Sequence, residues 1–105
     1  MAMTKKTRLN LQTKLEELLG YRHVYYQPPE NLKMEYPAIV YSKEDIYDDR
    51  ANNQRYRNFD VYTVVIIDKK PDNPVIQKIL DMDYASFDRH YVSDNLNHDI
   101  IKLYF

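Results

Sequence analysis

Apolar residues recur at helical spacing near the start of the chain. In the segment TKKTRLNLQTKLEELLGY, four leucines stand at positions i, i+4, i+7 and i+8, which places them on one stripe of an amphipathic helix. They are Leu11, Leu15, Leu18 and Leu19. Gly20 follows them, and glycine is the usual residue of positive φ beyond a helix end. The pattern predicts a first helix that ends at Gly20.

Short runs of β-branched and aromatic residues predict three strands after this helix. HVYYQ is a short candidate, and the prolines of PPENLKMEYP mark the loop that follows it. AIVYSKEDIY and RYRNFDVYTVVIID are longer, and the polar DDRANNQ between them suits a hairpin loop. The second half of the third strand, TVVIID, is apolar on both faces. We therefore predict that it is a central strand that other parts of the protein cover on both sides. Its polar first part is predicted to project from the body.

A second helix and two further strands complete the pattern. Asn73 suits the N-cap and Pro74 the first helical position, and Val75, Ile76, Ile79 and Leu80 supply an apolar stripe. YASFDRHYV and LNHDIIKLYF then flank the turn SDN. The predicted order is α-β-β-β-α-β-β in a single domain of residues 1–105. This is an α+β fold with a predominantly antiparallel sheet of four to five strands and two helices.

Composition narrows the classes of protein. The 105 residues are 44% hydrophobic and 30% charged, with a formal net charge of -1, which suits one modest core in a soluble, cytoplasmic protein. We expect no signal peptide and no membrane span. The absence of cysteine excludes disulfides and thiolate metal sites, and a single glycine excludes phosphate-cradling loops. Near-zero net charge argues against nucleic-acid binding, and the eleven tyrosines suggest half-buried interface surfaces.

The last hairpin holds the densest group of candidate catalytic or metal-binding residues. The segment SFDRHYVSDNLNHD contains Asp88, His90, Asp94, His98 and Asp99. Asp94 and the asparagine after it suit a turn, because Asx side chains bond their local backbone and tolerate positive φ. What the remaining residues can do depends on how the two strands are registered.

Two registers of this hairpin are compatible with the sequence. The apolar residues of both strands gather on one inner face if Val92 faces Leu96 across a three-residue loop. That inner face would hold Ala85, Phe87, Tyr91, Ile101, Leu103 and Phe105. The opposed pairs would then be His90 with His98, Arg89 with Asp99, and Asp88 with Ile100. A two-residue turn is the alternative, and it would pair His90 with Asp99 instead.

The first register allows a metal-site hypothesis, which we weigh against a structural role. Asp88, His90 and His98 would share the outer face, where opposed Cβ atoms lie about 4.5–5.5 Å apart. Functional metal ligands normally sit in a concave, supported pocket, whereas these residues lie near an exposed hairpin end. We therefore assign no metal ligand and no cofactor.

A hydrolytic site is not supported either. The chain offers Ser42, Ser86 and Ser93, and none stands in a nucleophile-elbow context. The sequence predicts a protein that is not an enzyme, without catalytic residues. RYRNFDVY interleaves arginine with aromatic residues, as nucleic-acid-binding strands do, but Asp60 and the acidic KEDIYDD offset its charge. A tyrosine-rich protein contact is the favoured interpretation of that segment.

Three segments carry a resemblance to a known group of proteins. VYYQPPENLKMEYPAIVYSKED, DVYTVVIIDKKPDNP and SFDRHYVSDNLNHDIIKLYF resemble small structural proteins of tailed phages and prophages. These are the tail terminator, tail completion and head-tail joining proteins, and the resemblance runs from Val24 to Phe105. It implies a non-enzymatic protomer without cofactor that assembles as a ring, a hexamer, at the top of a phage tail tube.

The resemblance also implies partners and a location. The partners would be further copies of the chain, the tail tube protein and the head connector proteins, with no membrane and no specific nucleic acid, although DNA would pass through the ring. The protein would be found in the virion, and in the bacterial host cytoplasm during assembly. We assign the subunit contacts to the hairpin from Lys43 to Arg57, at Tyr47, Arg50, Arg55, Tyr56 and Arg57. The alternatives are a nucleic-acid-binding or protein-interaction module and, less favoured, a metal-dependent enzyme using Asp88, His90 and His98.

Overall fold

A computed structural model describes the backbone of residues 8–48, 58–82 and 84–105, and the side chains of these residues except 45–48, 58 and 59. Two helices and five strands follow one another in the predicted α-β-β-β-α-β-β order. They are α1 (Arg8–Leu19), β1 (Val24–Tyr26), β2 (Ala38–Asp48), β3 (Asn58–Asp68), α2 (Pro74–Leu80), β4 (Ala85–Ser93) and β5 (Leu96–Tyr104). The predicted α+β class is confirmed.

The five strands form one mixed sheet with the spatial order β1-β2-β3-β5-β4. The short β1 is parallel to β2, and all other neighbours are antiparallel. β3 occupies the centre, as its apolar second half predicts. Its first residues continue past the body of the sheet, because β5 runs alongside β3 only from Val61 to Asp68.

Both helices begin or end at the residues that the sequence marks for this role. Gly20 has a φ of 84°, and its N–H donates to the carbonyl of Glu16 at 2.9 Å. The side chain of Asn73 accepts a hydrogen bond from the N–H of Val75 at 2.9 Å, and Pro74 occupies the first turn of α2. These caps satisfy backbone groups that helix ends leave unpaired.

The core lies between the two helices and one face of the sheet, here called the helix-covered face. Leu11, Leu15 and Leu19 of α1 and Val75 and Ile79 of α2 are buried against it. The sheet contributes Ile39, Tyr41, Tyr62, Val64, Ile66, Ile101 and Leu103. The other face, here called the second face, carries no helix within the described residues.

The second face is covered less completely than the sequence predicts for β3. Val40 and Val65 are half-buried there, whereas Ile67 and Ile100 are buried. The prediction that β3 is covered on both sides is therefore wrong at Val65. The reason is that both described helices pack against the helix-covered face alone.

Two of the eleven tyrosines are core residues rather than interface residues. Tyr41 and Tyr62 are almost fully buried, and their rings lie 5.9 Å apart. The hydroxyl of Tyr41 donates to Oε1 of Gln12 on α1, and the hydroxyl of Tyr62 donates to Oδ2 of Asp60 at 3.4 Å. Each ring fills the core while its polar tip finds a partner, which is how tyrosine is tolerated at depth.

The favoured register of the last hairpin holds only for its first three residues. Ala85 faces Leu103 and Phe87 faces Ile101, but a β-bulge at Asp88 then shifts the pairing by one residue. The predicted pair of Asp88 with Ile100 is wrong, because Asp88 is the extra residue of the bulge. Simple alternation along the strand cannot anticipate such an insertion.

Beyond the bulge the alternative register is the observed one. His90 faces Asp99, so the predicted pairs of His90 with His98 and of Arg89 with Asp99 are both wrong. The predicted three-residue loop is wrong too, since Ser93 faces Leu96 across a two-residue turn. Its residues, Asp94 and Asn95, have φ values of 53° and 62°. Two consecutive positive φ values define the turn type whose twist matches a tight antiparallel hairpin.

Asn95→Ala should destabilise this turn by about 1 kcal/mol, because a Cβ without a compensating polar group disfavours positive φ. Asn95→Gly should leave the stability unchanged or raise it, since glycine adopts this φ without strain. The measurement is the midpoint of urea unfolding. Asn31→Ala, at an exposed position of ordinary φ, is the matched control and should change little. A loss of the same size at Asn31 would contradict the interpretation.

Candidate functional site

The bulge at Asp88 brings one histidine of the last hairpin against a buried carboxylate. Nδ1 of His90 lies 2.8 Å from Oδ1 of Asp99. Asp99 also faces Ile66 of β3, so the pair lies on the helix-covered face. Asp99 is buried while His90 is exposed, which makes the pair a link between the core and the edge strand.

His98 lies on the opposite side of the sheet. It faces Tyr91 across the hairpin, and the two rings stack with centroids 4.5 Å apart and planes within 7°. Its Nδ1 lies 3.1 Å from the carbonyl oxygen of Leu96. The sheet therefore separates the two histidines, and the hypothetical metal site of Asp88, His90 and His98 is not formed. Within the described residues no three His, Cys, Asp or Glu side chains gather as a metal site would require.

The same register separates the histidine–aspartate pair from every serine. Ser86 faces Lys102, Ser93 faces Leu96 and Ser42 faces Thr63, which places all three on the second face. His90 points to the helix-covered face, so no serine of the chain can donate its proton to this imidazole across the sheet. The arrangement can orient and hold the β4 backbone, but no serine hydroxyl lies on its face as a serine triad would require.

The third histidine ties a loop to the sheet. Nε2 of His23 lies 2.8 Å from Oε2 of Glu35, and Nδ1 lies 3.2 Å from the carbonyl oxygen of Pro37. The ring of Tyr21 stacks on it at 5.3 Å. With both nitrogens and one ring face occupied, His23 holds the loop between β1 and β2 in place.

A buried charge lies where β3 leaves the body of the sheet. Asp60 is buried, and Nζ of Lys43 lies 3.2 Å from its Oδ2. The backbone of Asp60 exchanges two hydrogen bonds with Phe105, at 3.1 and 3.0 Å. Burial, and then the negative charge of Asp60, raises the pKa of Tyr62 to about 12. The Asp60 carboxylate is thus engaged by Lys43 and Tyr62 at the root of the β2–β3 hairpin.

The predicted subunit-contact residues fall in and beyond the end of this hairpin. Tyr47 lies in β2 with its backbone opposite Phe59, and its side chain lies outside the described residues. The other four residues, Arg50, Arg55, Tyr56 and Arg57, lie outside the described residues altogether. Their roles stay predictions.

The described part of this hairpin projects as a two-stranded ribbon, here called the β2–β3 ribbon, residues 46–48, 58 and 59. β1 accompanies β2 only from Ile39 to Tyr41, and on the other side β5 accompanies β3 from Val61 to Asp68, with Phe105 bonded to Asp60. The molecule measures 47 × 25 × 23 Å, with a radius of gyration of 14.7 Å, against about 13 Å for an average compact chain of this length. The molecule is therefore elongated.

A second surface feature was missed by sequence reasoning. The outer edge strand β4 is exposed along almost its whole length, and four large apolar side chains on or beside it are exposed. They are Tyr84, Phe87, Tyr91 and Val92. The sequence predicts that Phe87 and Tyr91 face the core. Phe87 does lie opposite Ile101 on the helix-covered face, but it is 47% exposed there. The prediction for Tyr91 is wrong, because the bulge turns Tyr91 to the second face. The signal in the sequence was the run of apolar residues at both parities in YASFDRHYV.

Comparison with known proteins yields no matching family model and no matching curated protein. Neither helix within the described ranges is long and apolar enough to cross a membrane.

Proposed function

We propose that this chain is a structural protein of a tailed-phage virion that acts at the tail end or head-tail junction by self-association and docking. The proposal is supported by the resemblance of Val24 to Phe105 to tail terminator, tail completion and head-tail joining proteins. The structural observation that carries it is the projecting β2–β3 ribbon. The proposed action needs no reaction chemistry.

The ribbon supports self-association because of its marginal stability. An isolated pair of strands is barely stable in water, and three or more strands or a packed layer are needed to hold one. Within the described residues, no third strand pairs with residues 46–48 or with residues 58 and 59. A ribbon that continues past the body in this way gains stability when a neighbouring subunit covers it.

Such a contact joins one surface of a subunit to a different surface of the next. Contacts of this kind close into rings when the rotation between subunits permits. We propose that the ring is a hexamer that meets the tail tube protein on one side and the head connector on the other. A formal net charge of -1 suits a ring through which DNA slides, since a strongly basic lumen would hold the phosphates.

The deciding experiment is to disrupt the gene in the phage or prophage that carries it and to examine the induced lysate by electron microscopy. Filled heads beside detached tails, above all tails of abnormal length, are the expected result. Normal numbers of intact virions would remove the virion role. Complementation from a plasmid that supplies the wild-type chain is the control for effects on neighbouring genes.

The assigned contacts give a second test. Arg55→Glu combined with Arg57→Glu should prevent ring assembly while the monomer stays folded, because the substitutions reverse two charges on the hairpin. Lys69→Glu combined with Lys70→Glu changes the net charge equally on an exposed turn at the opposite end of β3, and is the matched control. Complementation of the disrupted gene and circular dichroism of each purified variant are the measurements. Normal virions from the arginine variant would exclude the hairpin from the contact.

A further inference from the structure

Within the described part of the chain, no strand lies beside the outer side of β4, and its outward backbone groups fall at defined positions. Tyr104 donates its N–H to the carbonyl of Tyr84, and Phe105 exchanges both backbone bonds with Asp60 of β3. Because bonding direction alternates along antiparallel strands, even-numbered residues of β5 bond to β4 and odd-numbered residues bond to β3. Arg89, Tyr91 and Ser93 pair with even-numbered residues of β5. The N–H and C=O groups of His90 and Val92 therefore point away from the sheet.

The bulge divides this edge into two unequal parts. Ala85 to Phe87 precede it, and Arg89 to Ser93 form a regular segment of five residues that ends at the turn. A bulge interrupts edge-to-edge pairing, because it twists and bends the strand. Only the five-residue segment is suited to accept another strand, and Tyr91 is its midpoint.

The segment from Arg89 to Ser93 is complementary to the same segment of a second copy when the two pair antiparallel with Tyr91 at the centre. Each outward-facing His90 then meets the outward-facing Val92 of a second copy, and both exchange backbone hydrogen bonds. Arg89 meets Ser93, so no like charges oppose one another within the five residues, and the bulge residue Asp88 and the turn residue Asp94 flank the paired segment. Centring the pairing on His90 would draw the bulge at Asp88 into the ladder, and centring it on Val92 would draw in the turn residue Asp94.

The side chains favour the same centre. Tyr91 would face Tyr91 of the second copy in a pair whose Cβ atoms lie about 4.5–5.5 Å apart. Each tyrosine already stacks on its own His98, so four aromatic rings would form one row across the axis. Val92, which is 61% exposed, would be covered at the same time by the neighbouring strand.

We propose that β4 pairs with β4 of a second copy of this chain about a twofold axis at Tyr91. The inference concerns the free protein and does not depend on the virion role. Five opposed residues on each side bury far less than the roughly 1,200–2,000 Å² of a stable complex, so the dimer is weak and depends on concentration. Self-pairing covers an aromatic strand edge that would otherwise accept unrelated strands.

A single introduced cysteine tests the axis, because the chain has no cysteine of its own. Tyr91→Cys places two thiols opposite each other across the axis, whereas in Val92→Cys each thiol faces His90 of the other copy. Under mild oxidation the Tyr91→Cys protein should form a disulfide-linked dimer about tenfold faster or more. Val92 is the more exposed site, at 61% against 42% for Tyr91, so random collision predicts the opposite order.

Backbone substitution tests the pairing without a thiol. Val92→Pro removes an outward N–H, which an edge strand tolerates, and should abolish the concentration-dependent dimer seen by sedimentation. Val92→Thr keeps the N–H and the branched shape, and should retain the dimer. Circular dichroism checks that the proline variant is folded. If it is not, Val92→Lys replaces it, because a lysine at a strand edge keeps the N–H but disfavours pairing by holding its charge in water.

The cysteine and backbone experiments together support or overturn the proposed pairing. Fast linkage of Tyr91→Cys together with loss of the dimer in the proline or lysine variant supports the twofold pairing. Equal linkage rates at positions 91 and 92, or a monomer at millimolar concentration, would overturn it. A dimer that survives both Val92→Pro and Val92→Lys would place the contact elsewhere on the molecule and would overturn the proposal as well.

Discussion

Ile101→Ala is expected to lower the free energy of unfolding by about 3–5 kcal/mol, the upper part of the range for isoleucine truncation in a core. Ile101 is 0% exposed and lies on the helix-covered face, between Val64 of β3 and Phe87 of β4. The helices and the sheet converge there, so the cavity left by the lost atoms cannot collapse easily. For a domain whose total stability is on the order of 5–15 kcal/mol, this is a large share.

Ile100→Ala is the matched control on the next residue of the same strand. Ile100 is 9% exposed, yet it lies on the second face, where no described helix closes over it. Water can fill the space that truncation opens there, so the loss should be about half as large. Urea unfolding of both variants measures the difference. Equal losses would mean that the two faces are closed to the same degree, contrary to the fold described above.

The protein should lose about 2–3 kcal/mol of stability between pH 10 and pH 12 through Tyr62 alone. Burial, and then the charge of Asp60, raises the pKa of this hydroxyl in the folded protein from 10.0 to about 12. In that window the unfolded chain releases the proton while the folded protein still holds it. Rising pH therefore favours the unfolded chain. The stability that the protonated Tyr62 hydroxyl contributes is fully present below pH 10, and it is lost as the pH rises through 12.

Tyr62→Phe removes the ionisable group and should flatten this part of the stability curve. Burial also raises the pKa of Tyr41, so some loss of stability in the same direction will remain. Tyr21→Phe, at an exposed position, is the control and should keep the steep slope of the wild type. Unfolding by urea at several pH values from 8 to 12 measures the effect. The assignment to Tyr62 fails if the phenylalanine variant follows the wild-type curve.

Most of the helices and strands can be predicted from local patterns in the sequence. The leucine stripe of α1 with Gly20, and the Asn73–Pro74 cap of α2, mark both helices because caps and amphipathic stripes are short-range signals. The long β2–β3 hairpin is equally plain, since its β-branched residues flank a polar segment. These elements are where the sequence predicts correctly.

Pairing across the last hairpin shows where local pattern fails. From sequence, the face of each residue is inferred from the alternation of side chains along a strand. The extra residue at Asp88 moves every later residue of β4 to the face opposite to the one inferred. The favoured register rested on gathering Tyr91 with the core residues. The alternative register was compatible with the same residues, and only the three-dimensional pairing of His90 with Asp99 decides between them.

The candidate site was harder to anticipate than the fold. Neither burial of Tyr41 and Tyr62 nor exposure of β4 follows from composition, because tyrosine is compatible with core, interface and surface positions. Which tyrosine goes where depends on the order of the strands, with β3 at the centre and β4 at the edge. That order is a long-range property, and no single segment contains it.

The bulge at Asp88 has a consequence for comparing this chain with related sequences. A regular edge strand aligned to β4 needs a one-residue gap at position 88 if equivalent faces are to match. Without that gap, Arg89, His90 and Tyr91 would each be assigned to the wrong side of the sheet. Profiles built from ungapped strands would then score the residues that follow the bulge as mismatches.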